Sequence, residues 1–239
     1  MDKTRRAKEL DRLEKIAKHF SMLEGVNGRL EKYRIFTVNQ HLKGKTVLDV
    51  GCADGVMAKA LSGKFRVTGI DGSKKLIERA KKSSPNVEFI HTLFEDYKPK
   101  RKFDNIVLSF ILEHVEDPIK LLKLSKEWVT DNGRIITLVP NAWSLHRRVG
   151  KVLDLLSDVH DLNPTDLKQG HRRVYDLDLL KKDIKQTGST ILETGGYFIK
   201  PLSEAQMVDW SDELLDAFYE VSKDFDPQYC MEIFAVFKK

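Results

Sequence analysis

The spacing of hydrophobic residues predicts helices at the start of the chain. Over residues 3–21, apolar side chains recur every three or four positions with charged residues between them, and Phe20 lies near the end of this pattern. Gly25 and Gly28 interrupt it, so a second helix is expected from about Arg29 onward. The two helices form an N-terminal lead-in to the rest of the chain.

From residue 45 the pattern changes to short runs rich in β-branched residues, each followed by a helical stretch. Ser73 is placed to cap the helix after the second run, and Pro118 begins a helix that is expected to continue through Val129. Residues 131–133 are expected to turn into the fifth strand. The five predicted strands are residues 46–50, 65–70, 87–90, 104–109 and 134–139. Such alternation predicts a parallel, doubly wound sheet.

The segment after the fifth strand is too long for a simple connection. Residues 142–175 are therefore expected to be a lid or substrate-binding insertion. Asp176 and Ser211 are expected to cap two later helices, and residues 191–199 and 231–237 to form two antiparallel strands. The predicted fold class is α/β: a doubly wound, seven-stranded, mostly parallel, Rossmann-like sheet with N-terminal helices and a lid insertion after the fifth strand.

The length of the chain favours one domain. Its 239 residues are enough to bury a core without disulfides or a structural metal. We divide this domain into the lead-in (1–43), a ligand-binding core (44–141), the lid or substrate segment (142–175), and the C-terminal helices with the last two strands (176–239).

Composition and charge restrict the class of protein. The 41 Lys and Arg exceed the 36 Asp and Glu by five, and the two signs are interspersed, so an extended nucleic-acid surface is not expected. No window approaches the ~20 apolar residues of a membrane span, and the N-terminus does not resemble a secretory signal. Cys52 and Cys230 have no metal-ligand spacing and fit a reducing compartment. The chain is therefore expected to be cytoplasmic.

A glycine-bearing turn after the first predicted strand indicates a ligand site. Gly51 and Gly55 lack the Cβ atoms that would keep a ligand away from the backbone, and Asp71 ends the second strand twenty residues after Gly51. A carboxylate there can accept hydrogen bonds from both hydroxyls of a ribose. Nicotinamide cofactors favour glycine at offsets 0, 2 and 5, but the last two positions here are Ala53 and Val56. The pattern therefore favours a ligand without a pyrophosphate.

Several motifs in order along the chain make a family resemblance clear. The chain resembles the class I methyltransferases that use S-adenosylmethionine, and most of all the subgroup that contains ubiquinone-type O-methyltransferases. The resemblance covers roughly residues 30–140, and the last two strands fit the same architecture. The motifs that carry it are Asp49-Val50-Gly51-Cys52-Ala53-Asp54-Gly55, Asp71, Phe103-Asp104-Asn105-Ile106-Val107, Leu112-Glu113-His114-Val115-Glu116-Asp117-Pro118 and Gly133-Arg134-Ile135-Ile136.

The resemblance implies S-adenosylmethionine as cofactor and assigns its contacts. The turn after the first strand would hold the methionine part, Asp71 the ribose, and the residues after the second and third strands the adenine. The implied cofactor-binding residues are Asp49, Gly51, Cys52, Ala53, Gly55, Asp71, Gly72, Ser73, Phe94, Glu95, Ser109 and Phe110. The chain departs from the family at Leu93, where an aspartate is frequent, so the adenine amino group would be recognised by a different residue.

Methyl transfer to a hydroxyl or an amine releases a proton, for which a nearby histidine is the natural acceptor. His114 and His171 are the candidate catalytic residues. Two copies of His-Arg-Arg-Val lie in the lid segment, and arginines there can clamp an anionic acceptor. Candidate substrate-binding residues are Tyr33, His146, Arg147, Arg172, Arg173 and Tyr175. Packing of Tyr33 and His114, a solvated helix face and a salt-bridged loop are the structural alternatives.

The same comparison of motifs excludes several methyltransferase classes. Enzymes that act on base amino groups carry an Asn/Asp-Pro-Pro-aromatic motif where this chain has Ser109-Phe110-Ile111-Leu112, and no cysteine follows the fourth or fifth strand to attack a cytosine. Catechol-type enzymes hold magnesium with an aspartate at the place of Ser109, so no metal is expected. The favoured function is methyl transfer to a small-molecule acceptor, foremost a hydroxyl on an anionic or sugar-like molecule. A catalytically silent sensor or subunit and an RNA or protein methyltransferase stay as alternatives, and the oligomeric state is open.

Overall fold

The computed structural model describes residues 3–18 and 25–239 and contains one seven-stranded sheet. The strands are β1 (Thr46–Val50), β2 (Arg66–Asp71), β3 (Glu88–His91), β4 (Phe103–Ser109), β5 (Val129–Pro140), β6 (Thr190–Tyr197) and β7 (Glu232–Lys238). Their order in the sheet is β3-β2-β1-β4-β5-β7-β6, and only β7 runs antiparallel to its neighbours. The predicted seven-stranded, mostly parallel sheet is thus confirmed.

Helices cover both faces of this sheet. They are α1 (Lys3–Ala17), α2 (Gly25–His41), α3 (Val56–Leu61), α4 (Lys74–Ser83), α5 (Pro118–Trp128), α6 (Leu145–Val152), α7 (Pro164–Gln169), α8 (Leu177–Gln186) and α9 (Asp212–Val221). Ser73, Asp176 and Ser211 cap α4, α8 and α9 as predicted, each accepting a hydrogen bond from the backbone N–H three residues later. None of the described helices has the length and apolar content needed to cross a membrane.

Alternation along the strands builds two hydrophobic layers. Val47 and Val107 face the layer that contains α2, α3 and α9, whereas their neighbours Leu48 and Leu108 face the layer that contains α5 and α8. Because both faces of the sheet are covered, β1 is buried along its whole length. The polar ends of the central strands therefore provide the exposed edge at which a ligand can bind.

The structure corrects three details of the predicted elements. Gly28 lies inside α2 rather than ending a helix, because the cost of about 1 kcal/mol for an interior glycine is offset by the burial of Val26 and Leu30. Residues 131–133 belong to β5 and not to a turn, because a register shift in the pairing with β4 lets β5 begin at Val129. Helix α5 ends at Trp128 and does not include Val129, because Val129 already pairs with β4 as the first residue of β5. Phe20 lies outside the described residues.

A buried guanidinium connects the lead-in to the last strand. Arg34 on α2 donates to Glu232 on β7 (Nε to Oε1, 3.0 Å) and to Glu31 one turn earlier (Nη1 to Oε2, 3.0 Å). The Tyr197 hydroxyl donates to the other Glu232 oxygen. All four side chains are buried. The carboxylates compensate the desolvation of Arg34, so the position of α2 depends on this network.

We predict that Glu232→Gln lowers the free energy of unfolding by about 3 kcal/mol, because it removes the charge opposite a buried guanidinium. Urea denaturation followed by circular dichroism measures this change. Glu220→Gln is the matched control, since Glu220 pairs with Lys223 at the surface, and it should leave stability nearly unchanged. Equal effects of the two variants would contradict a stabilising role for the buried network.

Candidate active site

The carboxyl ends of β1, β2 and β4 open into a cavity of about 750 Å³. Helix α1 lies across one side of it through Glu9, Arg12, Leu13 and Ile16. The segment after β5 and the loop after β6 complete the wall. A volume of this size suits a cofactor-sized ligand together with a small second molecule.

The turn after β1 contains two glycines, so its backbone approaches the cavity without side chains at these positions. Gly51 has φ +73°, and a Cβ on it would lie 2.7 Å from the Ile111 Cδ1 atom. Gly55 has φ +83° and would place a Cβ 2.7 Å from Phe89 Cζ. Both positions therefore require glycine. Gly51 lines the cavity itself, whereas Gly55 starts α3 and shapes the turn from behind.

Asp71 lies at the end of β2 with its carboxylate held by two backbone groups. Ala53 N donates to Oδ2 at 3.0 Å, and Ser73 N donates to Oδ1 at 2.7 Å. Burial raises the Asp71 pKa to about 6, although the two N–H donors act to lower it. Each oxygen retains a lone pair, so the fixed carboxylate can accept bonds from two adjacent hydroxyls.

The next part of the cavity has unsatisfied acidic and hydroxyl groups. Asp49 Oδ2 and Ser109 Oγ are buried without a hydrogen-bond partner among the described residues. Burial raises the Asp49 pKa to about 7, and the nearby Glu31 and Asp71 carboxyls raise it further. Beside them, Phe110 directly follows β4 with φ +53°, and its ring centroid lies 4.5 Å from the Arg34 guanidinium carbon.

These residues fit S-adenosylmethionine, which carries a ribose diol, an ammonium and a sulfonium. Asp71 provides the fixed acceptors that a diol needs, and Asp49 is an unsatisfied acid that a cationic ligand would convert to its charged form. Phe94 and Glu95 also line the cavity, and Leu13 of α1 packs so closely on Gly72 that a Cβ there would lie 2.5 Å from Leu13 Cδ1.

A second cluster of polar groups lies in the loop between β4 and α5, where this loop contacts the lid segment. One ligand atom each from Glu113, His114 and His171 lies within 4.8 Å of the others. The His114 and His171 rings contact edge to face at 4.6 Å, and His171 Nδ1 lies 3.2 Å from Asp166 Oδ1. The Asp166 carboxylate therefore orients the His171 ring.

Burial changes the protonation of two members of this cluster. It raises the Glu113 pKa to about 7, and both Glu113 oxygens lack a hydrogen-bond partner among the residues described. It lowers the His114 pKa to about 3, with His171 and Arg12 as further causes. His114 is consequently neutral over the physiological range and a weak base.

Eleven of the twelve residues that the resemblance assigned to the cofactor line this one cavity, Gly55 being the exception. His114, His171, His146 and Arg147 line it as well. Arg147 is nevertheless committed to protein groups, since it donates to Asp166 Oδ2 at 3.0 Å and to the Val159 carbonyl at 2.9 Å.

The arginine pair of the second His-Arg-Arg-Val copy does not line the cavity. Arg172 Nε donates to the His114 carbonyl at 2.9 Å, and Arg173 Nη1 donates to the Leu112 carbonyl at 2.7 Å. Both guanidinium groups thus hold the 112–116 turn in place. They position the two histidines rather than an acceptor. The arrangement is close to the salt-bridged loop that the sequence leaves as an alternative, but the groups that the guanidiniums bind here are backbone carbonyls.

The two candidate tyrosines also lie outside the cavity lining. The Tyr33 hydroxyl donates to Asp216 at 2.6 Å, and the Tyr33 ring stacks on Tyr219 at 4.5 Å. The Tyr175 hydroxyl donates to Asp183 at 3.0 Å. Packing of Tyr33 was one of the two alternatives that the sequence left open.

Sequence reasoning missed Lys200, Glu113 and the α1 residues as parts of the site. Lys200 follows β6 in a loop that has no motif, and the sequence predicts α1 only as part of an N-terminal lead-in. The contact that places α1 at the site is not visible in its own sequence: Glu14 Oε1 accepts a hydrogen bond from Lys74 N at 2.6 Å, at the start of α4.

Comparisons with known proteins agree with this geometry. A family model described as a methyltransferase domain matches residues 22–194. A ubiquinone biosynthesis O-methyltransferase of Vibrio parahaemolyticus is 27% identical over 216 residues, covering 82% of this chain and 88% of that protein. A mitochondrial one of Schizosaccharomyces pombe is 32% identical over 110 residues, covering 43% of this chain and 40% of that protein. The chain thus spans less than half the length of the first curated relatives that it matches.

The fold has solved counterparts. An S-adenosylmethionine-dependent methyltransferase from Mesorhizobium loti superposes with a TM-score of 0.62 at 18% identity, covering 90% of this chain and all of that one. Such a likeness establishes the architecture. Together with the family model over residues 22–194, it identifies the chain as a member of the class I S-adenosylmethionine-dependent methyltransferase family.

Proposed function

We propose that this chain transfers the methyl group of S-adenosylmethionine to a hydroxyl of a small-molecule acceptor. The observation that carries the proposal is the Asp166–His171 pair on the cavity wall, with Nδ1 and Oδ1 3.2 Å apart. A histidine whose Nδ1–H is directed at a carboxylate presents its other nitrogen as a proton acceptor. The names of the relatives, which are O-methyltransferases, support oxygen as the acceptor atom.

The cofactor supplies an activated methyl group, so the protein has to align the acceptor and receive one proton. His171 takes the proton of the hydroxyl as the oxygen forms its bond to the methyl carbon. Asp166 keeps the ring in the tautomer that can accept it and stabilises the imidazolium that results. Asp49 and Asp71 would hold the cofactor, whose sulfonium would supply the methyl group and keep the electron pair of the sulfur–carbon bond, so that charge is conserved.

His114 has a different task in this arrangement. Its lowered pKa makes it a poor proton acceptor, while its edge-to-face contact with His171 fixes the second ring. Arg12 and Arg172 bind the His114 carbonyl and hold this turn against α1 and the lid segment. Between the two candidate catalytic histidines, the contacts therefore favour His171 as the base.

The direct test is release of S-adenosylhomocysteine from S-adenosylmethionine with a panel of hydroxylated acceptors, each paired with its amine analogue. Turnover with at least one hydroxyl compound and a weaker reaction with its amine analogue supports the proposal. Turnover with amines alone would refute it. Cofactor binding without any turnover would favour the silent sensor or subunit.

We predict that Asp71→Asn weakens S-adenosylhomocysteine binding at least tenfold, equivalent to about 1.4 kcal/mol, because the ribose hydroxyls lose a charged acceptor. Isothermal titration calorimetry measures the dissociation constant directly. Asp96→Asn serves as the control, because Asp96 pairs with Arg6 and does not line the cavity. An unchanged dissociation constant in Asp71→Asn would remove Asp71 from the site.

We predict that His171→Asn lowers kcat about 100-fold or more with little change in cofactor affinity, because general-base catalysis is lost. Single-turnover release of S-adenosylhomocysteine measures the rate of methyl transfer, and calorimetry with S-adenosylhomocysteine measures the cofactor affinity. His160→Asn is a matched control, since His160 contacts the carboxylates of Asp158 and Asp176 but does not line the cavity. A His171→Asn variant that keeps the wild-type rate of methyl transfer would exclude His171 as the base.

Metal removal separates this mechanism from a cation-assisted one. The ligand atoms of Glu113, His114 and His171 are close enough together to hold a cation. We expect that a chelator leaves the rate unchanged. If activity is lost and Mg²⁺ or Zn²⁺ restores it, His171 is a metal ligand and not the proton acceptor.

A further inference from the structure

The wall of the cavity formed by the loop after β6 carries a buried cation. The Lys200 side chain is only 8% exposed, and among the described residues its ammonium has one hydrogen-bond partner, Glu204 Oε1 at 3.2 Å. An ammonium has three N–H donors. Two of them therefore have no acceptor among the residues described, although the side chain is more than nine-tenths buried.

A histidine on α6 lines the same cavity as this cation. His146 Nδ1 is buried and lacks a hydrogen-bond partner among the described residues. Burial lowers the His146 pKa to about 3, and the charge of Lys200 lowers it further. The ring is therefore neutral and can donate one N–H. His146 also lies in the first turn of α6, where the helix dipole is positive.

The carboxylates around this wall are already paired. Glu204 accepts from Lys200 and also from Asn27 Nδ2 at 2.8 Å, and its side chain is 42% exposed, so water screens its charge. Glu232 is bound by Arg34, as described above. Asp166 is bound by Arg147. The unpaired groups that the loop after β6 and α6 place on the cavity are thus the Lys200 ammonium and the His146 ring, whereas the unpaired acids of the cavity are Asp49 and Glu113.

We propose that Lys200 and His146 form a subsite for an oxyanion, a carboxylate or a phosphate, carried by the methyl acceptor. The inference rests on the proposed function, and it replaces Arg172 and Arg173 as the source of affinity for an anionic acceptor. Lys200 donates its two free N–H groups to the anion, and His146 donates one. The anion satisfies these buried donors and fixes one end of the acceptor while its hydroxyl meets His171.

Three small probes test the subsite without knowledge of the acceptor. Benzoate carries a carboxylate, phenyl phosphate a phosphate, and benzyl alcohol neither. Each is titrated calorimetrically into the full chain, with and without saturating S-adenosylhomocysteine. We expect at least one anion to bind tenfold or more tightly than benzyl alcohol, and the preferred anion identifies which oxyanion the subsite takes.

Substitutions assign the preference to Lys200. Lys200→Met should abolish the tenfold difference, whereas Lys200→Arg should retain most of it. Lys223→Met is the matched control, because Lys223 also pairs with a glutamate but lies at the surface. Thermal melts confirm that each variant is folded, and Lys200→Arg keeps the test valid if Lys200→Met fails to fold. His146→Phe should reduce the preference partially.

The outcomes of the two proposals are distinct. Wild-type protein that binds no anion better than benzyl alcohol, or Lys200→Met protein that keeps the preference, overturns the subsite. Anion preference in protein that does not bind S-adenosylhomocysteine would overturn the methyltransferase proposal and leave the subsite standing. Protein that binds S-adenosylhomocysteine but prefers no anion would overturn the subsite and leave the methyltransferase proposal standing.

Discussion

The position of α2 against the last strand, beside the cavity, depends on the compensation of one buried guanidinium. Arg34 is enclosed by Glu31 and Glu232, and a lone guanidinium at that depth would cost several kcal/mol. The network fixes α2 against β7 and places a flat cation over Phe110 at the end of β4. With Phe110 held in a left-handed backbone conformation, the neighbouring Ser109 hydroxyl is left on the cavity wall.

The cavity is built from two kinds of sequence. The cofactor side comes from strand ends and the turns that follow them, so its residues are close in sequence to the elements that position them. The acceptor side comes from α1, the lid segment and the loop after β6, which meet only in the folded chain. Arg12 illustrates the second kind, because it binds the carbonyls of Gly170 and His114, which lie 158 and 102 residues away.

This difference explains what the sequence could and could not predict. Asp71, Gly51 and the caps at Ser73 and Asp176 follow from local spacing, because backbone geometry imposes them. The role of Arg173 does not, since its side chain satisfies carbonyls of a turn 58 to 61 residues earlier and nothing in its own neighbourhood indicates this. The role of Lys200 cannot be predicted from the sequence either, because only its burial distinguishes it from the many surface lysines.

Asp49 and Lys200 place groups of opposite charge at two parts of the cavity wall, and this has a thermodynamic consequence. In the free protein Asp49 avoids the cost of a buried charge by keeping its proton up to a pH of about 7. A cationic ligand reverses that balance, so the carboxyl ionises when the ligand arrives and binding is coupled to proton release. Lys200 keeps two N–H donors without an acceptor among the described residues, and an anion would satisfy them. The two ends of the cavity are therefore suited to ligands of opposite charge.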